Sequence, residues 1–213
     1  MKNALVSSRS LIAVAVAAGS VLSAAAGDYD VTIDTSALIG NPSAPFSLDF
    51  QLNDGAGTGS NQNWAGVSLF NFGGGSATGS ATIFGGAAGD LVSGISFHTT
   101  SAFNELYQAF TPGSTLSFHI SLSETAPSTG TPDSFSFAIL DQSLSNIPTT
   151  GIADTLLEVD ITDAGAIATL GNSINGVTIN ATAVPEPYAA PVVALGLLGA
   201  FACVRRMKAA RRA

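Results

Sequence analysis

Apolar residues recur at every second position through most of this chain. Tyr29, Val31 and Ile33 alternate with Asp28, Asp30, Thr32 and Asp34, and Phe46, Leu48, Phe50 and Leu52 alternate with Ser47, Asp49 and Gln51. The same period runs through 116–122, 135–139 and 157–161. A period of two packs one face of each strand and wets the other, the pattern of antiparallel sheets. Further candidate strands lie at 67–72, 81–84, 91–99 and 177–181, for nine or ten in all. Asn53-Asp54-Gly55, Thr111-Pro112-Gly113, Thr131-Pro132-Asp133 and Asn175-Gly176 supply turn chemistry between them. Residues 101–110 are ambiguous, because Phe103, Leu106 and Phe110 also fit helical spacing. The pattern predicts an all-β passenger domain over residues 27–183, a two-sheet antiparallel sandwich with a jelly-roll-like order.

Residues 55–89 are glycine-rich and include Gly73-Gly74-Gly75 and Gly85-Gly86. Glycine in strands marks bulges or close approach of backbones. A surface loop is expected over 55–63. No Gly-x-Gly-x-x-Gly opens a helix within a βαβ unit, which argues against a dinucleotide loop.

Both ends carry a different pattern. Lys2 and Arg9 precede an apolar stretch, Leu11–Leu22, which ends in Ser23-Ala24-Ala25-Ala26-Gly27. That order predicts a secretory signal peptide over residues 1–26, read by the Sec export machinery. At the other end, residues 184–213 contain Pro185-Glu186-Pro187, an apolar segment over 188–204, and a basic tail over 205–213 with Arg205, Arg206, Lys208, Arg211 and Arg212. As a helix the uncharged run 189–204 rises about 24 Å, a minimal span that Tyr188 and the arginines extend at its ends. Gly196 and Ala200 have small-xxx-small spacing. The single cysteine, Cys203, lies inside this run, as a small apolar residue or a lipidation site beside the basic stop.

These three parts in this order resemble a PEP-CTERM sorting signal. The resemblance implies a C-terminal transmembrane sorting helix and processing by an exosortase near Pro185, Glu186 and Pro187. The protein would then be exported across the inner membrane, anchored transiently, and left at the cell surface or outside it. The stretches 71–75, 110–118 and 132–141 resemble a recurring passenger type of short PEP-CTERM proteins, one without an assigned activity.

Charge narrows the function of the passenger. All seven Lys/Arg lie in the two terminal segments, whereas all fifteen Asp/Glu lie between Asp28 and Glu186. Removal of both termini leaves roughly 160 residues, enough for one core, with no permanent cation. Nucleic acid is therefore excluded as a direct partner, since phosphate neutralisation needs Lys or Arg. With no cysteine in the passenger, stability must come from packing rather than disulfides. Like-charge repulsion should also raise the average carboxylate pKa and favour the folded state in mild acid.

Few residues suggest chemistry. His98 and His119 both alternate with core positions and belong on outer strand faces. A Ser-His-Asp relay is compatible with the spacing, but no Gly-x-Ser-x-Gly elbow exists. No zinc cluster is present, so no metal or cofactor is assigned. Glu105, Glu124, Asp133, Asp141 and Glu158 are candidates for the paired carboxylates of a glycoside hydrolase. Calcium, bound by a surface adhesion module, could be held by Asn53-Asp54-Gly55 or by Asp154, Glu158, Asp160 and Asp163. Trp64, Tyr29 and Tyr107 are candidates for stacking on sugar. The expectation is a non-catalytic surface or extracellular-matrix module associated with exopolysaccharide. The alternatives are a polysaccharide-active hydrolase and a calcium-binding adhesion module.

Overall fold

The computed structural model describes residues 27–57, 59, 63–123, 131–162, 165–174 and 176–184. The segments expected to be a signal peptide and a sorting signal, together with Glu124 and Asp163, lie outside the described residues. The strands in chain order are β1 (Asp28–Asp34), β2 (Phe46–Asn53), β3 (Trp64–Asn71), β4 (Ser76–Ala77), β5 (Thr82–Phe84), β6 (Ala87–Asp90) and β7 (Gly94–His98). They continue with β8 (Phe103–Thr111), β9 (Thr115–Leu122), β10 (Asp133–Leu140), β11 (Leu157–Thr162), β12 (Gly165–Leu170) and β13 (Thr178–Ala183). Among the described residues thirteen strands replace the nine or ten expected, because β4, β6 and β12 are short or glycine- and alanine-rich and carry little periodic signal. Among the described residues no helix is long and apolar enough to cross a membrane.

The strands form two antiparallel sheets in a sandwich-like arrangement. The first sheet has the order β13-β1-β9-β3-β7-β6, and the second β12-β11-β10-β2-β8-β4, with β5 also paired to β8. From β1 to β4 the chain changes sheet at every strand, so neighbours in space are distant in sequence. The inward positions are those that alternation predicts, including Val31, Ile33, Leu48, Phe50, Phe118, Ile120, Phe135 and Val159. The centre of the core is aromatic. Phe50 lies 5.3 Å from Phe118 and 4.9 Å from Phe137, ring centre to ring centre, joining the two sheets.

The ambiguous stretch 101–110 contains no helix, and Phe103–Thr111 forms strand β8. The inward face of β8 alternates Asn104, Leu106, Gln108 and Phe110, so two of its four core positions are polar. Both polar groups are satisfied. Asn104 Nδ2 donates to Leu52 O and Ser101 O, and its Oδ1 accepts from Gly86 N–H. Gln108 accepts from Leu91 N–H and donates to Gly79 O. These side chains hold the glycine-rich segment against β8. Gly75 is needed for that approach, since a Cβ there would collide with Thr111 O.

One end of the sandwich is closed by a buried polar network. Asp133 accepts from Gly55 N–H and Asn63 Nδ2, each at 2.9 Å. Ser123 Oγ donates to Asn63 Oδ1 and accepts from Trp64 N–H. The network links the start of β10 in the second sheet to the ends of β3 and β9 in the first. Its charge is buried yet fully hydrogen-bonded, the condition under which burial is tolerated.

Candidate functional site

The two outer faces of the sandwich carry different chemistry. On the first sheet, outward residues of β1, β9, β3 and β7 form cross-strand rows. One row is Asp30–His119–Ser68, and the next is Asp28–Ser121–Gly66–Ser96. His119 Nδ1–H donates to Asp30 Oδ1 at 2.8 Å. A carboxylate only accepts, so in the neutral ring Nε2 is the acceptor, and Ser121 Oγ–H donates to it at 3.2 Å. Asp28 lies 3.9 Å from Nε2.

This Ser121–His119–Asp30 order has the connectivity of a nucleophile relay. Acyl transfer also needs free N–H donors aimed at the developing oxyanion. Ser121 is the penultimate residue of β9, which is paired on both sides by β1 and β3, and the next two amides are already committed, Leu122 N–H to Gly27 O and Ser123 N–H to Trp64 O.

Beside the relay lies a groove of about 480 Å³ lined by Trp64, Gly66, Ser68, Ser93, Ser96 and Ser121. Trp64 opens β3 and is 43% exposed. His98 is its cross-strand partner and is exposed. Gly66 forms the floor, and a Cβ there would make ordinary contacts with the Trp64 ring at 3.7 Å and Ile95 O at 4.0 Å. A second depression, bounded by Thr32, Asp34, Ser36, Thr115 and Thr178, offers hydroxyls but no aromatic ring.

On the second sheet, Asp49 on β2 stands between Tyr107 of β8 and Ala138 of β10. It points outward, yet it is only 2% exposed. Gln51 Nε2 donates to Asp49 Oδ2 at 2.7 Å and to Glu105 Oε1 at 3.3 Å, so one amide spans both carboxyl groups. Asp49 Oδ1 is buried without a hydrogen-bond partner among the described residues. Burial, and then the charge of Glu105, push the Asp49 carboxyl up to about 7. Burial also raises the Glu105 carboxyl. The pair therefore retains a proton well above the ordinary carboxylate range.

The three stacking candidates do not form one platform. Tyr29 corrects the expectation of exposure. It faces inward on β1, is 5% exposed, and shares the core with Val31 and Ile33. Period two had already placed it on that face. Trp64 and Tyr107 lie on opposite sheets.

The carboxylate candidates are likewise dispersed. Asp133 belongs to the closing network, and Asp141 caps its own turn by accepting from Ser143 and Ser145 N–H. Glu158 faces outward on β11, three strands from Glu105 on β8. The calcium candidates are not gathered either. Asp54 accepts from Ala56 and Gly59 N–H within its own loop, and Asp154 accepts from Thr149 N–H. Among the described residues no group of three or more His, Cys, Asp or Glu is placed to hold a metal ion.

Asp49, Gln51 and Phe84 are site residues that the sequence did not single out. Asp49 looked like any wet-face residue of an alternating strand, and no local signal distinguishes it. Comparisons with protein-family models, curated proteins and solved structures found no match.

Proposed function

We propose that this protein is an exported surface or extracellular-matrix protein, sorted and processed by an exosortase, whose passenger is a non-catalytic module associated with glycan. The succession of Pro185-Glu186-Pro187, apolar run and basic stop in the C-terminal sequence supports the sorting half. The single observation that carries the passenger half is the Trp64 groove. An exposed indole beside a glycine floor and four serine hydroxyls suits a neutral sugar, whose C–H face stacks on a ring while its hydroxyls exchange hydrogen bonds. A domain without Lys or Arg also favours neutral over anionic polymer.

The strand order supports a jelly-roll core. It consists of β1-β9-β3-β7 facing β2-β8-β5, extended by β13 and β6 on one sheet and by β10, β11 and β12 on the other. Relay geometry at Ser121 beside amides already committed to neighbouring strands suits a polar rim better than an acyl-transfer centre. One Gln51 amide donates to both Asp49 and Glu105, and Asp49 is sealed from solvent, so this pair does not flank an open cleft as the two carboxyl groups of a glycosidase do.

The test is co-sedimentation of the exported protein with the producing cells' own exopolysaccharide. Wild type should sediment without a rise in reducing ends. Trp64→Ala should weaken binding several-fold, and Gly66→Val should do so by filling the groove floor without a backbone clash. Unchanged binding by both variants, or turnover of the polymer, overturns the reading. Intact mass should place the C-terminus of surface-released protein near Pro187, and recovery of chains ending in Ala213 would defeat the sorting assignment.

A further inference from the structure

Glu105 has unusual neighbours on the outer face of the second sheet. Along β8 its same-face neighbours are Phe103 and Tyr107, about 7 Å away on either side. Across the strands it faces Phe84 on β5 and Gln51 on β2. Three of its four nearest outward positions are therefore aromatic. Phe84 and Phe103 are 47% and 45% exposed, whereas Phe46, Phe50, Phe97, Phe135 and Phe137 are fully buried. The Phe84 and Tyr107 rings lie 6.5 Å apart, tilted by 30°. Exposed rings around a carboxylate present both a negative charge and negative ring faces to a cation. The domain between the terminal segments contains no Lys or Arg to fill that position internally.

Behind Glu105, the unpartnered Asp49 Oδ1 adds acceptor capacity to the same cluster. Acceptors in excess of donors call for a ligand bearing N–H groups, which a primary ammonium has and a quaternary ammonium lacks. Rings that flank the carboxylate call for an apolar-faced body next to that ammonium.

We infer that this face binds a primary ammonium carried on a sugar ring, as in a de-N-acetylated hexosamine unit, with Glu105 meeting the ammonium and Phe84, Phe103 and Tyr107 meeting the ring. The site lies on the sheet opposite the Trp64 groove, so it stands or falls separately from that groove. Binding also has a proton signature. The ionisable groups facing Asp49 are Glu105 and Tyr107 on β8. β10 presents Ser136, Ala138 and Leu140, and β5 presents Thr82 and Phe84, none ionisable near neutrality. A cation at Glu105 favours loss of the proton that the carboxyl pair holds, so affinity rises with pH as that proton leaves and falls again once the ligand ammonium gives up its own proton.

The experiment is calorimetric titration of the exported protein with a glucosamine tetramer, its N-acetylated counterpart, putrescine and calcium chloride. The glucosamine tetramer should bind at least about tenfold more tightly than the N-acetylated form, and Glu105→Gln should abolish that preference. Phe84→Ala should weaken binding several-fold in a variant that alters only an exposed ring. Trp64→Ala should leave it unchanged. Titrations in buffers of different ionisation enthalpy should show proton release at pH 7, absent in Asp49→Asn. Equal affinity for the two tetramers, or a Glu105→Gln variant that keeps the preference, overturns the inference. Putrescine binding as tightly as the tetramer overturns the sugar assignment. Displacement of the tetramer by millimolar calcium at constant ionic strength would make the cluster a metal site instead.

Discussion

β1 and β2 are alike in pattern and unlike in outcome. Each alternates core residues with polar ones, and each places aspartate on an outer face. On β1, Asp28 and Asp30 have 43% and 70% of their side chains exposed. On β2, Asp49 is sealed. The difference lies in the neighbours. Asp30 is flanked by Thr182 of β13 and His119 of β9, small or hydrogen-bonding groups that leave the carboxylate in water. Asp49 is flanked by the Tyr107 ring and Ala138, with Glu105 and Gln51 diagonal to it. Alternation determines which way a side chain points, and register determines whether that direction is wet.

The largest test of this contrast is pH. The folded pKa of Asp49 is raised, so the folded state holds a proton that the unfolded chain has released above its ordinary carboxylate pKa. The associated stability is present below that value and is lost as pH rises through the folded pKa near 7. Stability should fall by about 3 kcal/mol between pH 4.5 and 7.5 in urea denaturation, and Asp49→Asn should remove most of that slope. Asp34 and Asp90 are held below the ordinary range by hydrogen bonds from Ser36 and Ser93, so their contributions are lost only at more acidic pH, outside this window. A midpoint that rises steadily from pH 4.5 to 7.5 would contradict the account.

A second buried aspartate sharpens the comparison. Asp133 resembles Asp49 in burial but has donors at both oxygens. Asp133→Ala orphans Gly55 N–H and Asn63 Nδ2 and should cost about 2 kcal/mol. A loss comparable to that of an exposed aspartate would mean that the closing network is dispensable.

The smallest effect belongs to the open cluster. Asp30→Asn should change stability by no more than about 0.5 kcal/mol, because water and salt screen the His119 contact. Hydrolysis of p-nitrophenyl acetate should be the same in wild type and Ser121→Ala. A Ser121-dependent rate would turn the hydroxyl–imidazole–carboxylate row from a polar rim into a nucleophilic centre.

The alternation of 28–34, 46–52, 116–122, 135–139 and 157–161 was sufficient by itself to locate five strands and their inward faces, because pleat geometry is local. Charge counting by itself argued against readings that need Lys or Arg between residues 10 and 204, where neither occurs. The same local rule placed Tyr29 inside, and stacking chemistry was wrongly assigned to it. It failed over 101–110, where Asn104 and Gln108 occupy core positions whose hydrogen-bond partners lie far along the chain.

Tertiary structure alone decided the rest. Trp64 and Tyr107 parted to opposite sheets because the chain changes sheet between their strands. Glu105 acquired Phe84 from β5 and Gln51 from β2, and Asp49 lost its water to Tyr107. Each of these depends on cross-strand register between segments tens of residues apart, and no periodicity within one strand encodes the register of its neighbour.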